Sequence, residues 1–322
     1  MKKYLSITIA IIVLFFCACD KNPFSFIRTA IFEFPTEAGP IAIALDEKHG
    51  IIYVASSYSG RSGYNRKIQT FSTNGTFLRT IVDFTQEQNG SYSNYLPIDF
   101  TLDDEHNLYV LVRPHCVLKY NSEGNFQKKY DFQQTDERPF FSACAFYRGF
   151  IYVTNGSVIK KINSKTGQTY DFPLPFDEID QTLPMIHTSD IAIDSKGNIW
   201  LVGQAYLEDH QDRFIRCHVT KLDPTCKYST TYYSKGSTGR YGAMLNNPGI
   251  DIDKKGNIYL ATFYCQSVEV FSNLWIFLKQ IDVNEENENN PRPIDVIVGN
   301  GIIYVLDYSN NLVRLYPTWS FH

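Results

Sequence analysis

The chain has 322 residues, 43% of them hydrophobic and 15% aromatic, with a formal charge of -4. A charge this close to neutral removes the electrostatic case for a nucleic-acid partner, and the length is ample for the core of one large all-β domain or two average ones. The 22 Tyr and 23 Phe favour strands over helices, because these side chains suit a pleated, half-buried surface.

In chain order, the first segment is not part of a fold. Met1-Lys2-Lys3 is a basic start, LSITIAIIVLFF is an apolar run short for a bilayer span, and FCAC places Ala18 directly before Cys19. The segment resembles a bacterial lipoprotein signal, in which a small residue precedes a cysteine that is cut and lipidated; Phe16 departs from the Leu such signals prefer. The resemblance implies a signal peptide over residues 1–18, lipid attachment at Cys19, a tether over 19–25 and a lipid-anchored place in a bacterial cell envelope, on the outer membrane or the periplasmic face. An ordinary signal peptide or a membrane anchor is the alternative. The cysteines that follow Cys19, namely Cys116, Cys144, Cys217, Cys226 and Cys265, are odd in number and form no CxxC pair. That pattern removes the usual zinc and redox signatures and is expected of buried free thiols, with room for one bridge in an exported protein.

Beyond the tether one pattern recurs. An aromatic residue flanked by aliphatics appears at Tyr53, Tyr109, Tyr152, Trp200, Tyr259 and Tyr304, at intervals of roughly 40–60 residues. A short apolar strand precedes each (IAIAL, IDFTL, SACAF, IAID, GIDID, IDVIV), and a third strand, a turn and a fourth strand follow most of them. Repeated four-strand units predict an all-β fold, a six-bladed β-propeller of four-stranded antiparallel blades over residues 26–322. The pattern P-x-x-I-x-x-D-x-x-G-N-I-Y-V-A resembles the NHL repeat, in six copies over residues ~35–316, with the third copy (FFSACAFYRGFIYV) degenerate. The last copy has only three strands, and FIRTAIFEF before the first is an orphan strand. This N-terminal strand is expected to fasten the ring as the outer strand of the last blade and so cover an exposed edge. NEENENN at 284–290 reads as a solvated loop between blades five and six.

Loops in such a meander alternate between the two faces of the disc. One face carries short hairpins (DEKHG, DDEHN, DSKGN, DKKGN), and the other collects insertions at 56–66, 173–189, 203–214 and 234–247. Long segments on one side of a rigid frame are where binding residues concentrate. The candidates for ligand binding there are Arg61, Arg113, His115, Tyr206, Arg240, Tyr241, Tyr264 and Tyr308, since Tyr and Arg anchor ligands by stacking and forked hydrogen bonds. The expected role is a non-enzymatic module, acting as a monomer, that binds a peptide, protein or glycan.

Asp251 and Asp253 ahead of Gly256-Asn257 invite a calcium-loop reading, but positions five and twelve of such a loop hold Lys255 and Thr262, which cannot serve. Asp253 instead matches Asp46, Asp103 and Asp194 as the acceptor of a tight hairpin. Four residues earlier the six blades carry Ala42, Asp99, Ser142, Asp190, Gly249 and, with a hairpin one residue shorter, Asp295. Asp99, Asp190 and Asp295 are therefore expected at the channel mouth, either bonded to a neighbouring blade's backbone or gathered round a Ca2+ ion; the ion is the only cofactor the sequence suggests. With a cation there, a metal-assisted lyase or hydrolase of lactonase-like type becomes the alternative function. The histidines show no HxH or HExxH spacing; His49 and His106 fall in turns of the short-hairpin face, while His115, His187 and His210 fall on the other.

Overall fold

In the computed structural model of the chain, residues 30–60, 63–85, 95–113, 116–132, 141–174, 187–209, 212–233, 239–240, 248–263, 265–283 and 290–318 are described. Every regular element among them is a β-strand. The chain enters with β1 (Phe32–Pro35) and then lays down blade one as β2 (Pro40–Asp46), β3 (Ile51–Gly60), β4 (Gly63–Ser72) and β5 (Phe77–Asp83). Blade two is β6 (Leu96–Leu102), β7 (Leu108–Arg113), β8 (Cys116–Tyr120) and β9 (Phe126–Asp131). Blade three is β10 (Ala143–Tyr147), β11 (Phe150–Thr154), β12 (Val158–Asn163) and β13 (Thr169–Pro173). Blade four runs β14 (His187–Ile193), β15 (Ile199–Asp209), β16 (Asp212–Leu222) and β17 (Tyr228–Tyr233), with the two-residue β18 (Gly239–Arg240) paired to β16. Blade five is β19 (Ile250–Ile252), β20 (Ile258–Thr262), β21 (Ser267–Phe271) and β22 (Phe277–Asp282). Blade six is β23 (Pro293–Gly299), β24 (Ile302–Asp307) and β25 (Leu312–Pro317), and β1 is its fourth strand. This is the six-bladed propeller expected from the repeats.

The period-two alternation of the second strands explains why the blades stack. Leu108, Val110 and Val112 point into a cluster shared with blade one, while Tyr109 and Leu111 point into a cluster shared with blade three. Six such clusters occur, one between each pair of neighbouring blades and including the sixth–first seam, so each blade hides both faces only because the ring closes. Each fully buried aliphatic side chain in them contributes about 1.5–3 kcal/mol relative to exposure.

Closure rests on the orphan strand. β1 pairs antiparallel with β25, Phe34 opposite Val313, and Phe34 joins the seam cluster. Beneath it the fully buried Arg314 donates through Nε and Nη2 to Asp307 Oδ2, at 3.2 and 3.1 Å, and through Nη1 to Glu33 of β1 at 2.9 Å.

The hairpin aspartates behave as turn formers. Asp253 Oδ1 accepts the backbone N–H groups of Lys255 and Asn257, both at 2.8 Å; Oδ2 accepts Asn257 Nδ2 at 2.8 Å and the Tyr259 hydroxyl at 3.2 Å. Asp103 with Asn107 and Tyr109, and Asp194 with Asn198 and Trp200, repeat the arrangement. Blades three and six use shorter Arg148-Gly149 and Asn300-Gly301 turns with positive φ at both residues, the geometry of a type I′ hairpin.

One alignment needs correction. Pairing sets Ala143, not Ser142, opposite Thr154, in the place that Asp99 holds opposite Leu111. The two-residue hairpin of blade three removes residues from the count that a sequence comparison starting at the turn assumes. The insertions at 56–66 and 203–214 also differ from loops. Strand pairing continues into them as far as Gly60↔Gly63 and Asp209↔Asp212, so β3 with β4 and β15 with β16 are the longest paired strands among the described residues.

Candidate functional site

The channel carboxylates form the first constellation. Asp99 Oδ1 accepts the N–H of Phe100 at 2.8 Å, and its Oδ2 accepts the N–H of Cys144 in blade three at 2.6 Å. Asp190 does the same with Ile191 and, in blade five, Ile250; Asp295 does so with Val296 and, in blade one, Ile43. Each aspartate thus ties its own inner strand to that of the next blade, across alternate interfaces. Asp251, two residues further into its strand, makes the corresponding link from blade five to blade six, accepting the Val298 N–H at 2.6 Å. Sequence reasoning took Asp251 only as a failed calcium ligand and missed this role, which depends on a residue in another blade. Gly249 is explained by the same packing, since a Cβ there would lie 2.5 Å from Asp295 Oδ1 and 2.6 Å from its Cα.

All four aspartates keep partial contact with the channel, yet protein encloses them. Burial pushes Asp99 up to about 6 and Asp251 up to about 7, against the pull of their backbone donors. Asp190 and Asp295 are raised well above the usual carboxylate range, first by burial and then by repulsion, Asp295 and Asp99 acting on Asp190 and Asp99 on Asp295. A cavity of about 530 Å³ on the short-hairpin side reaches Asp251 past Glu47, Lys254 and Asn300.

The second constellation lies on the opposite face, at the seam of blades six and one. A cleft of about 570 Å³ is lined by Gly39, Tyr58, Arg292, Tyr308, Ser309 and Asn311 among others. Tyr58 comes from β3 of blade one and Tyr308 from the turn after β24; they are 38% and 39% exposed, a large fraction for aromatic side chains beside a pocket. The walls are held from both blades. Asn311 Oδ1 accepts the Gly39 N–H at 3.0 Å, Arg292 O accepts the Tyr308 N–H at 3.0 Å, and the Arg292 guanidinium lies 5.0 Å from the Phe263 ring centre. Gly39, at φ +72°, has Tyr58 Cβ only 2.7 Å from where its own Cβ would be, so the lack of a side chain there lets Tyr58 sit against the wall.

Of the binding candidates, Tyr308 lines this cleft and Arg113 is exposed at the end of β7. Tyr206 falls on β15 and Arg240 on β18. Arg61, His115, Tyr241 and Tyr264 lie outside the described residues, as does Cys19 with the whole of residues 1–29. His187 falls on β14, and His210 lies outside the described residues. Tyr58 falls in the insertion at 56–66, but the cleft's remaining members lie outside the insertions singled out for binding, because only ring closure brings residues 38–39 beside 290–311.

The five described cysteines are free. Burial pushes Cys116 and Cys226 up to about 11 and raises Cys144 well above the usual thiol range, so none of these three is a thiolate nucleophile at neutral pH. A third constellation joins Asp46, His49 and His106. Among the described residues it is the one trio of His, Cys, Asp or Glu whose ligand atoms all lie within 4.8 Å of one another.

The sequence matches no protein-family model and no curated protein. Solved structures share the fold at low identity. A streptogramin B lyase aligns with a TM-score of 0.57 at 14% identity, covering 89% of this chain and 97% of that one. The WD40 repeats of RRP9 align at 0.57 and 10%, covering 91% and 99%. Virginiamycin B lyase from Staphylococcus aureus aligns at 0.50 and 12%, covering 89% and 87%. At these identities the likeness establishes the propeller and nothing of the chemistry.

Proposed function

We propose that this chain is a lipid-anchored NHL-type propeller of a bacterial cell envelope that binds a peptide, protein or glycan on its loop-rich face, acting as a monomer. The observation that carries the reading is the seam cleft, where two half-exposed tyrosines from different blades flank an arginine and an asparagine on a rigid frame. Tyrosine faces stack on sugar rings or peptide side chains, and a guanidinium and an amide orient the polar groups of an extended ligand. Interaction modules of WD40 type share the architecture. The anchor and the NHL assignment rest on FCAC around Cys19 and on the six-fold repeat.

A metal-assisted lyase or hydrolase working at the channel is the second reading. It is favoured by the mutual repulsion of Asp99, Asp190 and Asp295, which a Ca2+ ion would relieve. Against it, both oxygens of each carboxylate already accept backbone donors.

The test is a glycan and peptide binding screen on the chain lacking residues 1–19, repeated with Tyr58→Ala and Tyr308→Ala and with added calcium or chelator. Each truncation is expected to weaken a confirmed ligand by about tenfold or more. Binding that survives both truncations would remove the cleft as the site. Turnover of a bound ligand that needs calcium would favour the enzyme.

A further inference from the structure

On the short-hairpin face, opposite the cleft, blade one departs from the arrangement that the hairpins of blades two, four and five share. In blades two, four and five the second oxygen of the hairpin aspartate is taken by an Asn side chain four residues on. Blade one has Gly50 at that place, and two imidazoles fill the gap. Nδ1 of His49, from the same hairpin, and Nδ1 of His106, from the hairpin of blade two, each lie 2.8 Å from Asp46 Oδ2, with the rings edge to face and 4.3 Å apart. Asp46 Oδ1 is occupied by the His49 N–H at 3.0 Å, which fixes the carboxylate's orientation.

His106 is placed there against backbone preference. The same turn position in blades four and five is Gly197 and Gly256, each at φ +85°, and His106 adopts φ +63° where an L side chain is disfavoured. Its Nε2 is buried and has no hydrogen-bond partner. A turn former alone needs no imidazole here, since glycine serves the equivalent turns.

We infer that Asp46, His49 and His106 form a three-ligand site for a divalent transition-metal cation, with zinc the reference case. Two imidazole nitrogens and one carboxylate oxygen are a donor set for zinc, nickel or copper rather than for calcium or magnesium, which take oxygen. Metal–ligand bonds of about 2.0–2.2 Å set tetrahedral donors ~3.3–3.6 Å apart, so loading would lengthen each of the two 2.8 Å carboxylate–imidazole distances by about half an ångström or more. His49 can supply that movement, because its side chain is 47% exposed while Asp46 is 2% exposed and fixed. The exposed side leaves room for water or an outside ligand as the fourth donor. Each neutral imidazole that binds through Nδ1 gives up the proton there and takes one up at Nε2, exchanged through solvent, so loading changes the tautomer and not the charge of the ring. The site ties blade one to blade two, so the metal would clasp an interface at which no channel aspartate does so. The inference is independent of the proposed cleft ligand.

The experiment titrates the full chain in mild detergent with zinc, nickel and calcium chlorides, following bound metal by equilibrium dialysis and thermal unfolding in parallel. One equivalent of zinc or nickel, with a rise in melting temperature that grows with metal concentration, is expected, and none with calcium. His49→Ala and His106→Gly should each weaken binding by about tenfold or more. The second variant restores the glycine of blades four and five, so it should fold. Cobalt absorption or copper magnetic resonance on the unaltered chain should show nitrogen donors, a readout that does not depend on any variant. An unaltered chain that takes up no zinc or nickel overturns the inference. So does a His49→Ala/His106→Gly chain that binds them undiminished.

Discussion

Replacing Asp251 by Asn should make the propeller's stability markedly less sensitive to alkali. In the folded ring the carboxyl is pushed up to about 7, from the ordinary 3.8 of an aspartate, mainly by burial and then by repulsion from Asp253 and Glu47. An acid whose folded pKa lies above its unfolded one keeps its proton longer when folded. Its contribution is therefore full below about pH 4 and is lost as pH rises through 7. Three units at 1.36 kcal/mol each give about 4 kcal/mol, and water reaching the residue through the channel reduces that to an expected ~2–4 kcal/mol. An Asn oxygen can still accept the Val298 N–H, while its amide meets the Ile252 N–H, adding an offset of about 1 kcal/mol that does not vary with pH. The assay is urea unfolding of both proteins from pH 4 to 8, followed by the intrinsic fluorescence of the chain's three tryptophans. The difference between them should move in the variant's favour by ~2–4 kcal/mol over that interval. Comparing the two cancels the opposite slope of His218, whose buried imidazole is held down to about 4 and destabilises the fold as pH falls below 6.5. A difference that stays flat within about 1 kcal/mol would refute the enclosed-carboxylate reasoning.

Gly249→Ala should lower stability by about 1–3 kcal/mol, measured by urea unfolding, because its Cβ meets Asp295 and the backbone of Ile294 at the blade five–six junction. Arg314→Met should cost about 3–5 kcal/mol in the same assay, since Asp307 keeps a fully buried charge that loses its cation. A loss below 1 kcal/mol would mean that the ring closes without that pair.

The blade count and the closing strand were legible because both depend on local pattern. The inner hairpin carries a turn aspartate, a glycine or asparagine and a flanked aromatic within a dozen residues, and Phe34 alternates correctly for an outer strand. Blade three was misplaced by one residue because its hairpin is shorter, and a one-residue slip reverses which side chains face the channel. Asp251 and the histidine trio were hidden for a different reason. Their partners are Val298, 47 residues away, and His106, in the next blade, and no spacing rule connects hairpins of separate blades. One signal was available: His106 stands where the matching turns of blades four and five have glycine. Of the seam cleft only Tyr308 was legible, since its walls come from opposite ends of the chain.

The direction in which the chain enters the ring has a consequence for the proposed anchor. β1 begins beside Leu315 and ends beside Leu312, next to the turn that carries Tyr308. Its start therefore lies on the short-hairpin side, where Phe32 approaches Gly75 of the hairpin between β4 and β5. A lipid on Cys19 would be joined to Ala30 by a segment reaching at most ~40 Å at 3.3–3.6 Å per residue. With the proposed lipid on Cys19, entry on that side is expected to set the short-hairpin face towards the bilayer and the cleft away from it, open to a partner from outside. Probes on Ser309→Cys and Lys48→Cys in vesicle-bound protein would read this directly. A lipid-borne quencher should dim the Lys48→Cys probe more than the Ser309→Cys probe, and the reverse order would mean that the cleft faces the membrane.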